Sequence, residues 1–169
     1  MADAPDDAML TDTVDHVRRE WAETHPHLDT SPIEVIGRVQ RIASICNHRL
    51  DLDLAQHGVN RSEFSVLSAL ARAGRPLRAS EVVSTTMLSG ASITKIADSL
   101  VSRGLLVRQK SERDGRVVLL APTDAGRAVV DDEMPRRIAG DAELIAGLSP
   151  GERDTLAALL RKVCAALGD

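Results

Sequence analysis

The segment LLVRQKSERDGRVVLLAPTDAG, residues 105–126, constrains the fold more than any other part of this chain. Two apolar runs flank a short charged tip, and a turn-prone sequence follows, so the pattern predicts a β-hairpin. Six charged side chains lie within nine residues of it: Arg108, Lys110, Glu112, Arg113, Asp114 and Arg116. Either this hairpin is an ordinary solvated loop, or it lies against something negatively charged.

Patterns typical of helices surround the hairpin. Apolar spacing predicts helices over 10–24, 33–57, 61–74, 80–87, 89–104, 123 into the 140s, and 150–167. The predicted N-caps are Ser80, Ser89, Thr123 and Ser149, and the predicted stops are Gly58, Gly74 and Gly104. Three short helices followed by a two-stranded hairpin predict a mainly α fold, a winged helix-turn-helix with additional long helices before and after it.

The composition fits this class of fold. The chain has 169 residues, enough for one domain, with one Trp, one Phe and no Tyr. Its core is therefore expected to be aliphatic, with the long helix 33–57 buried on more than one side. The two cysteines, Cys46 and Cys164, are expected to be small core residues. We find no pattern of a membrane span or a signal peptide, which favours a cytoplasmic protein.

Charge is distributed unevenly along the chain. The net charge is −4. Between Arg61 and Arg127, however, 11 Lys and Arg residues stand against 6 Asp and Glu residues. Binding to a polyanion depends on the patch that a protein presents and not on its total charge. A nucleic-acid partner is therefore compatible with this composition.

The helix predicted over 89–104 has the features of a DNA recognition helix. Its core side consists of Ile93, Ile96, Ala97 and Leu100, and its outer side of Ser92, Lys95, Ser99 and Ser102. A helix that enters a major groove needs a slim tip with small hydrogen-bonding groups and a cation. The candidates for DNA contact are Ser89, Gly90, Ser92, Thr94 and Lys95. The alternative is that they form the solvated face of a surface helix.

The hairpin tip strengthens the case for DNA. Arg113 and Arg116 can contact the phosphate backbone or enter a minor groove, where a narrow groove attracts arginine. Asp114 is expected to shape the tip by accepting a hydrogen bond from Arg116 or from turn N–H groups. Taken alone, the tip could equally be a solvated charged turn. A recognition helix and a basic wing in succession make double-stranded DNA the favoured partner.

The segment SGASITKIADSLVSRGLLVRQKSERDGRVVLLAPTDAGR resembles the recognition helix, wing and following helix of the MarR family of bacterial transcription regulators. The matching positions are Gly104, Leu105, Leu106, Arg108, Asp114, Arg116 and the run from Thr123 to Gly126. The final helix, LSPGERDTLAALLRKV, resembles the family's dimerisation helix. Two departures are Gly115, where a second Arg is more usual, and Ala121-Pro122 before the Thr.

The resemblance implies a ligand-responsive repressor that binds a near-palindromic operator as a homodimer, with half-sites roughly 10 bp apart. It implies a single domain over 1–169. Residues 10–57 and 123–169 would form a helical dimerisation lobe, and residues 58–122 the winged helix-turn-helix lobe.

The N-terminal part resembles the subgroup with an added first helix, to which the urate-responsive regulators belong. Of that subgroup's ligand-binding positions, Trp21 and Arg108 are kept, whereas Ser65 and Ile96 replace a carboxylate and a guanidinium. The resemblance therefore implies the same pocket with a different small-molecule effector, less polar or larger, and makes urate unlikely. Trp21 could instead be a helix-packing residue.

Other functions have weaker support in the sequence. It has no glycine-rich phosphate loop, no nucleophile elbow and no framed pair of carboxylates, so we expect no enzyme, no catalytic residue and no cofactor. We also expect no metal site, since His16, His25, His27 and His48 lack a ligand spacing. The remaining alternative is a winged-helix module for protein assembly, which would not need an arginine-rich tip.

Overall fold

The structure is a computed structural model, and it describes residues 11–111 and 114–167. Within these residues lie seven helices and one two-stranded sheet. Their order is α1 (Thr13–Thr24), α2 (Ser31–Ala55), α3 (Arg61–Ala73), α4 (Ala79–Thr85), α5 (Gly90–Ser102), β1 (Leu106–Lys110), β2 (Val118–Pro122), α6 (Asp124–Leu144) and α7 (Pro150–Ala166). The predicted class, mainly helical with a hairpin wing, is confirmed.

The chain divides into two compact units, of which Met1–Arg49 is the first. Asp12 caps α1, and its carboxylate also forms an ion pair with Arg38 on α2 at 3.0 Å. Arg38 reaches Asp15 as well, at 2.8 Å. The pKa of Asp15 is lowered, mainly by a hydrogen bond from the backbone N–H of Asp12 and further by Arg38. The N-terminal helix is thus tied to α2 by ion pairs at the surface.

The second unit, Leu50–Asp169, holds the aliphatic core that the composition predicts. Phe64 of α3 is buried within it together with residues from every neighbouring element. Buried members of this core include Leu54, Phe64, Leu67, Leu70, Val82, Ile93, Leu100, Leu106, Leu120 and Val130. Each such side chain contributes about 1.5–3 kcal/mol when it leaves water. α5, which the sequence predicts to be a recognition helix, and the wing formed by β1 and β2 are therefore fixed to α3 by one continuous apolar cluster.

The wing is an antiparallel hairpin whose register runs from Leu106 opposite Pro122 to Lys110 opposite Val118. A third segment pairs with it, because Leu77, between α3 and α4, exchanges two backbone hydrogen bonds with Leu120 at 3.0 and 2.7 Å. The sequence predicts an extended link at this position but not its pairing with β2.

The end of α5 and the start of α6 meet at one junction. Gly104 ends the recognition helix with a φ of 70°, a left-handed conformation that favours glycine. The Thr123 hydroxyl donates to the Gly104 carbonyl at 2.7 Å, and the Thr123 N–H donates to the Leu105 carbonyl at 3.2 Å. A Cβ on Gly126 would overlap that same Leu105 carbonyl oxygen. Only glycine fits at this position of α6.

Most predicted caps are confirmed, and one is wrong. Ser89, Thr123 and Ser149 each cap their helix with the side-chain oxygen, and Ser149 forms a capping box with Glu152. Ser80, in contrast, lies inside α4, whose N-cap is Arg78. The cause is local. Leu77 is held extended by β2, and Glu81 accepts the backbone N–H of Arg78 at 2.8 Å, so the helix begins one residue earlier.

The apolar stripe of α2 is not buried as predicted. Val35, Ile36, Val39 and Ile42 are exposed in the single chain. No residue of α7 is buried either, and its stripe of Leu156, Leu159, Leu160 and Val163 faces solvent. The expected core position of Cys164 is therefore wrong for one chain, since this cysteine is exposed, whereas Cys46 is half-buried.

The two lobes expected from the sequence stay a prediction. The compact units of the single chain do not follow that division, because α6 packs on α3 and β2 within the second unit. Among the described residues, none of the helices combines the length and the hydropathy that a membrane span requires.

We predict that Gly126→Ala destabilises the protein by about 1–3 kcal/mol, because the new methyl group forces the Leu105 carbonyl out of place. Gly140→Ala is the matched control, since it lies on the same helix and a Cβ there meets open space. That change should be neutral or stabilise by up to about 1 kcal/mol. Urea unfolding of both variants checks this, and equal effects would contradict the tight junction.

Candidate nucleic-acid interface

The inward side of α5 fixes the helix in the fold. Ile93, Ala97 and Leu100 are buried, as the spacing predicts. Ile96 is partly buried and packs against the same core. With this side committed to the interior, the opposite side of the helix is presented to solvent.

The N-terminal end of α5 is open and slim. The Ser89 hydroxyl accepts the Ser92 N–H at 3.2 Å, and the two hydroxyls lie 2.9 Å apart. Gly90, Thr94 and Lys95 are exposed, and a Cβ at Gly90 would meet open space. The first turn contains no acidic residue, so the positive end of the helix dipole is not neutralised there. This end can approach a phosphate or a base edge.

A buried carboxylate sets the orientation of α5 against α3. Glu63 is buried, and it accepts an ion pair from Arg103 at 2.8 Å and a hydrogen bond from the Ser99 hydroxyl at 2.9 Å. Its other oxygen accepts the backbone N–H of Asn60, the N-cap of α3. Ser99 therefore faces α3 and is not on the outer side of α5, where the sequence places it. The helical spacing leaves Ser99 at the boundary, and the buried charge draws it inward.

The pKa of Glu63 reflects this arrangement. Burial by itself raises the pKa of the carboxyl group, but hydrogen bonds from Asn60, Ser99 and Arg103 outweigh burial, and the net shift is downward. The carboxylate is therefore charged wherever the protein is folded near neutral pH.

A second ion pair connects α5 to the wing. Arg108 on β1 contacts Asp98 on α5 at 2.7 Å, and both side chains are partly exposed. Arg108 is one of the residues expected in a ligand pocket, and in the single chain its guanidinium is engaged by Asp98. The recognition helix is thus linked to α3 on one side and to the wing on the other.

The tip of the wing has the turn expected for Asp114. Its carboxylate accepts the backbone N–H of Arg116 at 3.0 Å, and its carbonyl accepts the Val117 N–H at 2.9 Å. The Arg116 side chain is exposed. Arg113, the other predicted phosphate contact, lies outside the described residues.

Of the residues expected to bind a small molecule, Ser65 lines a cavity of about 190 Å³ whose lining does not include Ile96 or Arg108. Trp21 belongs to the first unit, where it is partly exposed and lies 4.9 Å from the His25 ring. The ligand role of all four residues stays a prediction.

Sequence reasoning missed two features near these sites. Met87, in the turn before α5, is fully exposed beside the candidate DNA contacts. The Ser65 cavity is also lined by Arg61, Arg72 and Arg137. Met87 could have been found from the sequence, since it is an apolar residue in a polar turn. The arginine-lined cavity could not, because its arginines are distant from one another in sequence.

Comparison with known proteins identifies the family to which the chain belongs. Residues 57–117 match the model of the MarR family. Over 152 residues the chain is 28% identical to the HTH-type transcriptional regulator PecS of Dickeya dadantii, covering 89% of this chain and 92% of the relative. It is 32% identical to the HTH-type transcriptional regulator MhqR of Bacillus subtilis, covering 76% and 86%. The chain belongs to the MarR family.

Solved structures of the family agree. CouR of Rhodococcus jostii bound to p-coumaroyl-CoA is 25% identical with a TM-score of 0.66, over 79% of this chain and 91% of that one. BpsR of Bordetella bronchiseptica, whose DNA binding is regulated by 6-hydroxynicotinic acid, is 27% identical with a TM-score of 0.65, over 77% and 92%. A MarR mutant of Escherichia coli complexed with operator DNA is 25% identical with a TM-score of 0.64, over 85% and 96%.

The protein is therefore a DNA-binding transcription regulator and not an enzyme. The exposed end of α5 and the wing are the parts of the winged helix that this function requires. The predicted family, and the predicted function as a DNA-binding transcription regulator, are confirmed.

We predict that Glu63→Gln lowers the free energy of unfolding by about 1–3 kcal/mol at neutral pH, because Arg103 loses its buried partner charge. The folded-state pKa of Glu63 lies below the ordinary range, so its contribution is full above that range. It is lost as the pH falls through the folded-state value. Urea unfolding across a pH series should therefore show the two proteins converging in acid.

The matched control is Glu23→Gln, a change at an exposed position of α1. It should shift stability by less than about 0.5 kcal/mol at any pH. A pH-independent difference between wild type and Glu63→Gln would show that the charge is not what matters.

Proposed function

We propose that this protein is a cytoplasmic, ligand-responsive repressor that binds a near-palindromic operator as a homodimer. The main support for this proposal is the open N-terminal end of α5. The helix itself is linked to the wing by the Asp98–Arg108 ion pair. A helix presented in this way can enter a major groove while the wing follows the neighbouring backbone.

In this proposal the outer side of α5 reads the bases. Ser89, Gly90, Ser92, Thr94 and Lys95 supply hydroxyls, a close backbone approach and a cation, which suit base edges and phosphates. Arg113 and Arg116 contact phosphate or the minor groove. The fully exposed Met87 adds an apolar group that can contact a thymine methyl.

The homodimer is supported by the exposed apolar faces of α2 and α7. Exposed contiguous apolar faces of this kind mark interaction sites in soluble proteins. A two-fold dimer would present two α5 helices to one side of a duplex, with half-sites roughly 10 bp apart.

We predict that the double change Arg113→Ala and Arg116→Ala weakens binding to every duplex and lowers the slope of log affinity against log salt by up to about 2, one for each lost phosphate contact. Lys95→Ala should instead change the preference among sequences by about 1–3 kcal/mol. Fluorescence anisotropy on the protein's upstream intergenic DNA, at two salt concentrations and against a scrambled duplex, measures both effects.

The control is Arg19→Ala, an exposed arginine of α1 in the first unit, which should leave affinity and salt slope unchanged. The saturating stoichiometry should be two chains per duplex. If the wing variant bound as well as wild type, and native and scrambled DNA bound equally, the protein would be an assembly module instead.

The effector site that we propose is the Ser65 cavity. Arg61, Arg72 and Arg137 line it with no carboxylate among the lining residues, and the Ser68 hydroxyl in its wall is buried without a hydrogen-bond partner among the described residues. These features suit a small anion with an apolar body. The regulation of BpsR by 6-hydroxynicotinic acid supports the same chemistry. Ser65 and Ile96 stand where the urate-responsive subgroup has a carboxylate and a guanidinium, which favours this apolar body over the polar purine of urate.

We predict that benzoate or 6-hydroxynicotinate binds at least about tenfold more tightly than the uncharged isostere benzamide, since a charge-assisted hydrogen bond is worth roughly 1.5–3 kcal/mol. Arg72→Gln should remove this preference, and Arg75→Gln, whose side chain does not line the cavity, should retain it. Isothermal titration gives the affinities. Equal binding of acid and amide would exclude an anion site.

A further inference from the structure

A histidine and two carboxylates meet between the end of α2 and the middle of α6. The His57 Nε2 atom lies 2.8 Å from Glu133 Oε1 and 3.2 Å from Asp132 Oδ2. One ligand atom from each of the three residues lies within 4.8 Å of the others. The DNA-binding surface described above uses none of them.

Glu133 is the unusual member of this group. It is fully buried, and burying a carboxylate is costly unless it is paired or binds a metal. Its Oε1 atom accepts hydrogen bonds from Gln56 and His57, both at 2.8 Å. Its Oε2 atom is buried and has no hydrogen-bond partner within the part of the chain that the structure describes. The buried carboxylate therefore has an unused ligand atom.

The competing cation is Arg136. Its guanidinium lies 3.1 Å from Asp132 Oδ1 and 3.4 Å from Glu133 Oε1. It contacts the oxygen of Asp132 that points away from His57, and half of its side chain is exposed. Arg136 can therefore move into solvent while His57, Asp132 and Glu133 stay together.

We propose that His57, Asp132 and Glu133 bind a divalent transition-metal ion, with Zn²⁺ the best match. One imidazole and two carboxylates, with water in the fourth position, are a ligand set that zinc accepts. Metal–ligand distances of 2.0–2.2 Å require ligand atoms roughly 3.3 Å apart in a tetrahedron. His57 Nε2 lies 2.8 and 3.2 Å from one oxygen of each carboxylate, and side-chain movement has to bring together three ligand atoms that already lie within 4.8 Å of one another. Because a metal ion binds deprotonated ligands, binding is expected to weaken in acid.

This site is a property of the fold and does not depend on the proposed effector or operator. The sequence predicts no metal site, and His57 is not among the histidines whose spacing it offers for one. His57 lies 76 positions before Glu133, a separation that no short motif covers.

The test is competition for Zn²⁺ between the full-length protein and a chromophoric chelator, in metal-free buffer without DNA. We expect one ion per chain. His57→Ala and Asp132→Asn should each weaken binding by more than roughly tenfold, because loss of a ligand costs at least as much as loss of an outer-shell partner. Thermal unfolding of the wild type should shift upward with added Zn²⁺, since a ligand that binds only the folded state stabilises it.

Two further variants separate metal binding from a structural role. Arg136→Gln removes the competing cation, so it should tighten Zn²⁺ binding even though it removes an ion pair from the apo protein. His16→Ala, which removes a histidine from an exposed His–Glu pair on α1, should change nothing.

The proposal is overturned if the wild type takes up no zinc, or if His57→Ala retains wild-type affinity. It is also overturned if Arg136→Gln weakens binding, because Arg136 would then support the site and not compete for it. Circular dichroism shows that each variant is folded. Anisotropy on operator DNA is a separate measurement, so failure of the metal site and failure of the repressor proposal are distinguishable.

Discussion

The junction where α5 ends and α6 begins is the constraint on which the rest of the DNA-binding unit depends. Thr123 donates to the carbonyls of Gly104 and Leu105, and Gly126 leaves room for the second of these carbonyls. The hairpin leaves the junction as β1 and returns to it as β2. A shift here would move the end of the recognition helix, the wing and the start of α6 together. The Thr-x-x-Gly pattern of the family therefore has a steric reason in this chain.

The orientation of α5 within the DNA-binding unit comes from polar contacts. Apolar burial holds α5 against the core, but the hydrophobic driving force is non-directional, and polar contacts add directional constraints. Glu63 fixes one side of the helix through Ser99 and Arg103, and Asp98 fixes the other through Arg108. The contacts of Glu63 and Asp98 thus help to determine which side chains of α5 are presented to solvent.

The single chain leaves apolar surface exposed where its sequence predicts burial. On α2 and α7 the apolar stripes face solvent, whereas the stripes of α3 and α5 are buried. The difference is one of partners. α3 and α5 are packed by neighbouring elements of their own chain, and the stripes of α2 and α7 are proposed to be packed by a second copy. An apolar pattern indicates that a face is to be covered, and it does not indicate by what.

The sequence by itself determined the order of elements, the hairpin, and the caps at Ser89, Thr123 and Ser149. Each of these features depends on residues that are close together in the sequence. The sequence also identified the family and the exposed N-terminal end of α5. Only the tertiary structure decided the start of α4, the inward position of Ser99, and the clusters around Ser65 and His57. These depend on groups brought together from distant elements, such as Glu63 with Arg103 and His57 with Glu133. Local propensity determines where most elements begin and end, and long-range packing decides the start of α4 and which charges meet.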